Sequence, residues 1–110
     1  MTEDEFRELA LSLPHVIEQS HMGHPDFRVG GKIFATLGAK NGYGMAKLSP
    51  EDQQVFLRDA PAVFEPASGV WGQRGATMIL LESADESSVL EALSAAWQNT
   101  APAKLRQKLT

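Results

Sequence analysis

Apolar residues along this chain recur at helical spacing near its two ends and in its middle, and at strand spacing between. Phe6, Leu9, Ala10 and Leu13 fall at i, i+3, i+4 and i+7, so residues 3–12 are expected to form a helix with one buried stripe. Thr2 supplies its cap, Glu5 completes a capping box three residues on, and Pro14 ends it. Residues 16–22 read as a strand. Residues 27–29 and 32–37 read as a hairpin, because Gly30-Gly31 offers the two positive-φ positions that a two-residue turn requires. Phe27 is expected to face Phe34 across it. Residues 43–48 form the next strand, entered through Asn41-Gly42, a pair that favours a type I′ turn. Alternation puts Phe27, Val29 and Phe34 on one face and Ile33, Ala35 and Leu37 on the other, so it does not choose the face that helices cover.

Ser49-Pro50-Glu51-Asp52 opens a second helix: a serine cap, a first-turn proline and two acids that complement the positive end of the helix dipole. Val55, Phe56 and Leu57 are its expected buried side, and Pro61 stops it. Residues 60–75 carry Pro61, Pro66, Gly69, Gly72 and Gly75, so they read as loop with a short strand at Val63-Phe64. Ala76 to Glu82 is a continuous apolar strand. Ser83 with Glu86 reads as a capping box opening a helix to Asn99, with Val89, Leu90, Leu93, Ala96 and Trp97 on its core side. The order helix, strands, helix, strand, helix is that of an α+β fold in two layers, an antiparallel sheet of about five strands with helices packed on one face. One domain is expected over residues 1–110.

Composition narrows the function. With 43% hydrophobic and 22% charged residues, the chain belongs with folded rather than disordered sequences. It has no cysteine, which excludes disulfides, thiol chemistry and thiolate-bound metals. No apolar run approaches the roughly 20 residues of a membrane span, and the start Met1-Thr2-Glu3-Asp4-Glu5 is acidic where a signal peptide is basic. The expectation is a cytoplasmic protein without membrane attachment. Ten Lys and Arg against fourteen Asp and Glu give a net charge of −4, which argues against a generally basic nucleic-acid binder. The charges are uneven, however: residues 27–49 hold Arg28, Lys32, Lys40 and Lys47 and no acid.

Several segments in order carry a family resemblance. They are Leu11-Ser12-Leu13-Pro14, the His24-Pro25-Asp26-Phe27-Arg28-Val29 hairpin arm, Gly31-Lys32-Ile33-Phe34-Ala35, Lys47-Leu48-Ser49-Pro50-Glu51, Val70-Trp71-Gly72 with Gly75, and Ala95-Ala96-Trp97. Together they resemble the MmcQ/YjbR-like family of small bacterial proteins over nearly the whole chain. The resemblance implies a two-layer α+β domain similar to secretion chaperones and frataxin-like proteins. It also implies a binding role, since DNA binding through two projecting hairpins, a double wing, has been proposed for the family. On this chain the wing residues are Arg28, Lys32 and Lys40, with Lys47 beside them. The alternatives are a protein partner, in the manner of secretion chaperones, and a small-molecule or metal site at His21, His24 and Asp26. The chain departs from the family pattern at Ala76, where relatives tend to carry tryptophan.

His21, His24 and Asp26 are close enough in sequence to share a metal, but strand alternation and Pro25 scatter them, so a polar pair lining a turn is the simpler reading and no metal site is assigned. His15 reads as a surface turn residue. No nucleophile elbow, dinucleotide fingerprint or phosphate loop is present, and the carboxylate clusters Glu3-Asp4-Glu5 and Glu51-Asp52 are explained by helix starts, so neither an enzyme nor a cofactor is expected. The simpler reading of the basic group is a solvated strand face whose lysines discourage sheet pairing. With Gly30-Gly31 as the turn, Arg28 pairs with Ile33 and Lys32 with Val29, which sends Arg28 and Lys32 to opposite faces. Lys32 and Lys40, nearest the tips, are therefore expected to matter most. Trp97 is expected in the core. Trp71, in a glycine-flanked loop, is expected to pack as a cap on the sheet, the other reading being a recognition face that Arg74 extends. Lys104, Arg106 and Lys108 are placed to complement the negative end of the last helices.

Overall fold

The computed structural model describes residues 1–107. Helix α1 (Glu3–Leu11) leads to strands β1 (Ile17–His21), β2 (His24–Val29), β3 (Lys32–Leu37) and β4 (Tyr43–Lys47). Helix α2 (Pro50–Asp59), β5 (Phe64–Pro66), the short helix α3 (Gly69–Gln73), β6 (Ala76–Leu80), α4 (Glu86–Thr100) and α5 (Ala103–Gln107) follow. All strands join one antiparallel sheet in the order β1-β2-β3-β4-β6-β5, six strands where about five were expected. Lys108 lies outside the described residues.

The caps act largely as the sequence dictates. Thr2 and Glu5 form the reciprocal capping box of α1, and the Ser49 hydroxyl accepts from the Asp52 N–H at the start of α2. At α4 the cap moves: residues 81–83 make a single 3-10 turn instead of prolonging the strand, and Asp85, not Ser83, accepts the Ser88 N–H at 2.7 Å. A carboxylate at that position satisfies an orphan amide and also sits at the positive end of the dipole.

Register decides which face is buried. Gly30 and Gly31 have φ of 59° and 80°, and Val29 pairs with Lys32 and Arg28 with Ile33, as the turn requires. Beyond that the ladder slips by one residue, so Phe27 pairs with Ala35 and Phe34 is the extra residue of a β-bulge. Phe34 therefore does not face Phe27, and Ala35 and Leu37 join Phe27 and Val29 on the covered face while Ile33 stays on the other. The covered row continues through Ala46, Ile79 and Phe64. Helix α4 packs over β3 and β4, with α1 against α4. Leu93, Ala96 and Trp97 are buried there, and the Trp97 indole N–H donates to the Pro14 carbonyl at 2.9 Å. Leu90, expected in that stripe, is exposed.

Two turns differ from expectation. Residues 38–42 form a five-residue loop in which only the Lys40–Tyr43 turn is hydrogen-bonded, and Asn41 does not take positive φ, so the turn is not type I′. The type I′-like pair missed by sequence is Met22-Gly23, with φ of 51° and 81°, joining His21 to its partner His24.

Candidate functional site

The uncovered face of the sheet carries the polar strand residues. Asp26, Thr36, Met45 and Met78 lie side by side across β2, β3, β4 and β6, with Arg28 and Ile33 next along. Asp26 and Arg28 are two residues apart on one strand, so both point the same way. Asp26 is fully buried, and Arg28 meets it through two hydrogen bonds, Nε to Oδ1 at 2.8 Å and Nη2 to Oδ2 at 3.0 Å. His21 Nδ1 reaches the same Oδ2 at 2.8 Å. The Arg28 bonds hold the Asp26 carboxyl below its ordinary range, against the cost of burial and with help from His21. Among the described residues no group of three or more His, Asp or Glu is arranged to hold a metal.

One side of this face is built by α3 and its flanks. The Gln53 side-chain amide donates to the carbonyls of Gly72 and Ala76 and to Thr77 Oγ1, each at 3.1 Å, and the Thr77 hydroxyl donates to the Gly75 carbonyl at 2.8 Å. A Cβ on Gly72 would fall 1.8 Å from the Ala67 carbonyl oxygen, and one on Gly75, whose φ is 111°, 2.0 Å from that of Leu48. Only glycine fits at either place. So clamped, α3 holds Trp71 out at 62% exposure instead of packing it away as expected, against 1% for Trp97. Sequence reasoning took this segment for loop and missed Gln53. It named Val55, Phe56 and Leu57 as the buried side of α2, where Gln53 is the buried residue, Phe56 and Leu57 are half-buried and Val55 is exposed. The signal available was a glutamine on the same helix face as Phe56 and Leu57.

Trp71 stands between two adjoining grooves that share Ile33, Lys47, Trp71 and Ala76 as lining. The larger, of about 580 Å³, adds Arg28, Lys32, Arg74, Asn99 and Thr100 among others, and no acid lines it. The Asn99 side chain donates to the Lys47 carbonyl at 3.1 Å, tying the end of α4 to this wall. Lys32, Lys47 and Arg74 make no ion pair with any described residue. The smaller groove, of about 310 Å³, is lined mainly by apolar side chains with His21, Thr36 and Ser68.

Of the sequence candidates, Arg28, Lys32, Lys47, Trp71 and Arg74 thus meet at one groove, and Lys40 does not. Consecutive turns of an antiparallel meander lie at opposite ends of the sheet, so the loop holding Lys40 is a strand length from Gly30-Gly31. There Lys40 sits 3.4 Å from Glu65 and 4.3 Å from the centroid of Tyr43. The Gly30-Gly31 tip does not project freely either: a Cβ on Gly30 would meet Pro102 at 2.6 Å, because the start of the C-terminal segment packs on it. Arg28 and Lys32 leave opposite faces of their hairpin, yet both reach the groove because it wraps the hairpin's end. Arg106 donates to the Gln98 carbonyl near the end of α4, as its position near the helix terminus suggested.

The architecture is that of a small α+β domain with helices packed on one sheet face and an aromatic, cationic groove on the other. The sequence matches the YjbR family over residues 11–99, and the chain belongs to that family. Its fold is similar to the crystal structure of Deinococcus radiodurans protein DR2400, which carries a DUF419 domain, with a TM-score of 0.76 and 17% identity over 98% of this chain and 87% of that one. Among curated proteins, none matches this sequence. No helix among the described residues is long and apolar enough to cross a membrane.

Proposed function

We propose that this chain is a binding module, not an enzyme, and that it contacts nucleic acid through the Trp71 groove and not through two hairpin tips. The observation that carries the reading is the acid-free lining that gathers Arg28, Lys32, Lys47 and Arg74 around an exposed tryptophan, in a chain whose net charge is −4. Local concentration of positive charge against a negative background directs a polyanion to one place on the surface. Arg28 is already matched by Asp26, which leaves three cations for phosphates. Three contacts give a slope of log affinity on log salt of about −2 to −3.

Fluorescence anisotropy of a labelled oligonucleotide at low salt tests this. Binding with that slope is expected, lost in Lys32→Glu/Arg74→Glu and retained in Lys40→Glu. Absence of binding at low salt, or loss in the Lys40 variant alone, overturns the reading. A protein partner is the alternative, favoured by exposed Val70 beside Trp71. It would displace the oligonucleotide without sharing its salt slope.

A further inference from the structure

The two adjoining grooves differ in chemistry, and the difference specifies a ligand with two unlike halves. The larger groove offers cations. The smaller offers Ile33, Met45, Ala67 and the Trp71 ring, with only His21 and Lys47 able to carry charge. His21 is fixed in a way that an idle surface histidine is not. Its Nδ1 lies 2.8 Å from a carboxylate that is fully buried and pinned by Arg28. An ionised carboxylate only accepts, so Nδ1 carries the proton, and in the neutral ring Nε2 is left as an acceptor. The imidazole is 46% exposed and lines the apolar groove.

Resting on the nucleic-acid reading above, we propose that the grooves form one bipartite site for an unstacked nucleotide of a single strand. The base enters the apolar groove against Trp71 with an N–H of its edge at His21 Nε2. The neighbouring phosphates lie in the cationic groove at Lys32, Lys47 and Arg74. Aromatic platforms beside a cationic track are how proteins hold single strands, because every base has a stacking face whatever its sequence. A duplex keeps its bases stacked inside and would need a protruding element to reach them. The nearest such element, the Gly30-Gly31 tip, is packed on Pro102.

Trp71 supplies its own reporter, since the other tryptophan, Trp97, is buried. The experiment titrates the protein at low salt with a short oligothymidylate, a duplex of equal length, an abasic oligomer of equal length and inorganic pyrophosphate, reading both affinity and tryptophan emission. Expected are quenching by oligothymidylate, at least tenfold weaker binding of the duplex and of the abasic strand, and at least tenfold weaker binding of oligothymidylate by Trp71→Ala and, to a smaller degree, by His21→Ala. Circular dichroism of both variants checks that they are folded. Equal binding of duplex and single strand, or of abasic and base-bearing strands, overturns the bipartite site while leaving the nucleic-acid reading intact. Failure of every polynucleotide overturns both, and pyrophosphate binding alone would then mark the larger groove as a site for small anions.

Discussion

The two faces of the sheet are made from the same strands and even from adjacent residues, yet they do opposite things. On the covered face Phe27, Val29, Ala35, Ala46 and Ile79 are fully buried against α1 and α4, and nothing polar is asked of them. From the same strands, Arg28, Ile33, Met45 and Lys47 face the groove with Trp71 beside them. The difference teaches that the packed core lies on one side of the sheet and the site proposed for recognition on the other, with one buried acid among the described residues, Asp26, set into the second. Substitutions should therefore separate into those that unfold the chain and those that silence its surface.

The largest effect should come from the covered face. Trp97→Ala removes a fully packed indole and its bond to Pro14, and is expected to cost about 3–5 kcal/mol in urea denaturation. A loss near zero would dissolve the contrast between the faces. Next is Gly75→Ala, which joins them: positive φ and the Leu48 carbonyl both oppose a side chain, so a loss of roughly 1–3 kcal/mol is expected together with displacement of Trp71, seen as a shift in its emission. A stability loss with Trp71 unmoved would show that α3 is held independently of its C-terminal glycine.

Asp26 gives the comparison a pH dependence. Its carboxyl is held below the ordinary value by Arg28, so its contribution is complete above about pH 4, where the unfolded carboxyl is ionised, and is lost as pH falls through the lowered native value. Glu5 and Asp85 act in the same sense, Glu5 through its bonds to Thr2 and Asp85 through its bonds to Ser88. Asp26→Asn should be less stable than the parent at neutral pH and should lose less on acidification, measured by thermal melts from neutral pH to pH 2. An unchanged acid slope would remove Asp26 from the account. The smallest expected effect is on stability in Trp71→Ala, within about 0.5 kcal/mol, as for exposed positions generally. A larger loss would mean that Trp71 braces the fold and is no free platform.

Local chemistry made much of this legible. Gly30-Gly31, the Thr2–Glu5 box and the Ser49 cap act within a few residues of themselves, so the local order of residues alone carried them. Arg28, Lys32, Lys47, Trp71 and Arg74 could be named because charge and aromatic character are visible in any fold. What stayed hidden depends on contacts distant in sequence. The bulge at Phe34 is set by its fit to β2 and the core, and it reversed the face assigned to Ala35 and Leu37. Helix α3 has two glycines in five residues and exists because Gln53 and Thr77 clamp it from outside. Met22 is no turn former, so the hairpin at Met22-Gly23 left no mark. The pairing of Lys40 with Glu65 joins residues that lie 25 apart in sequence.

Gln53 has one more consequence. It belongs to a helix of the covered layer, is buried there, and ends on the carbonyls that hold the Trp71 segment. The posture of the groove's tryptophan is thus set from behind, by a side chain no ligand would meet. A survey of surface positions alone would pass over it, although it acts as the hinge pin between the half of the molecule that stays folded and the half that faces outward.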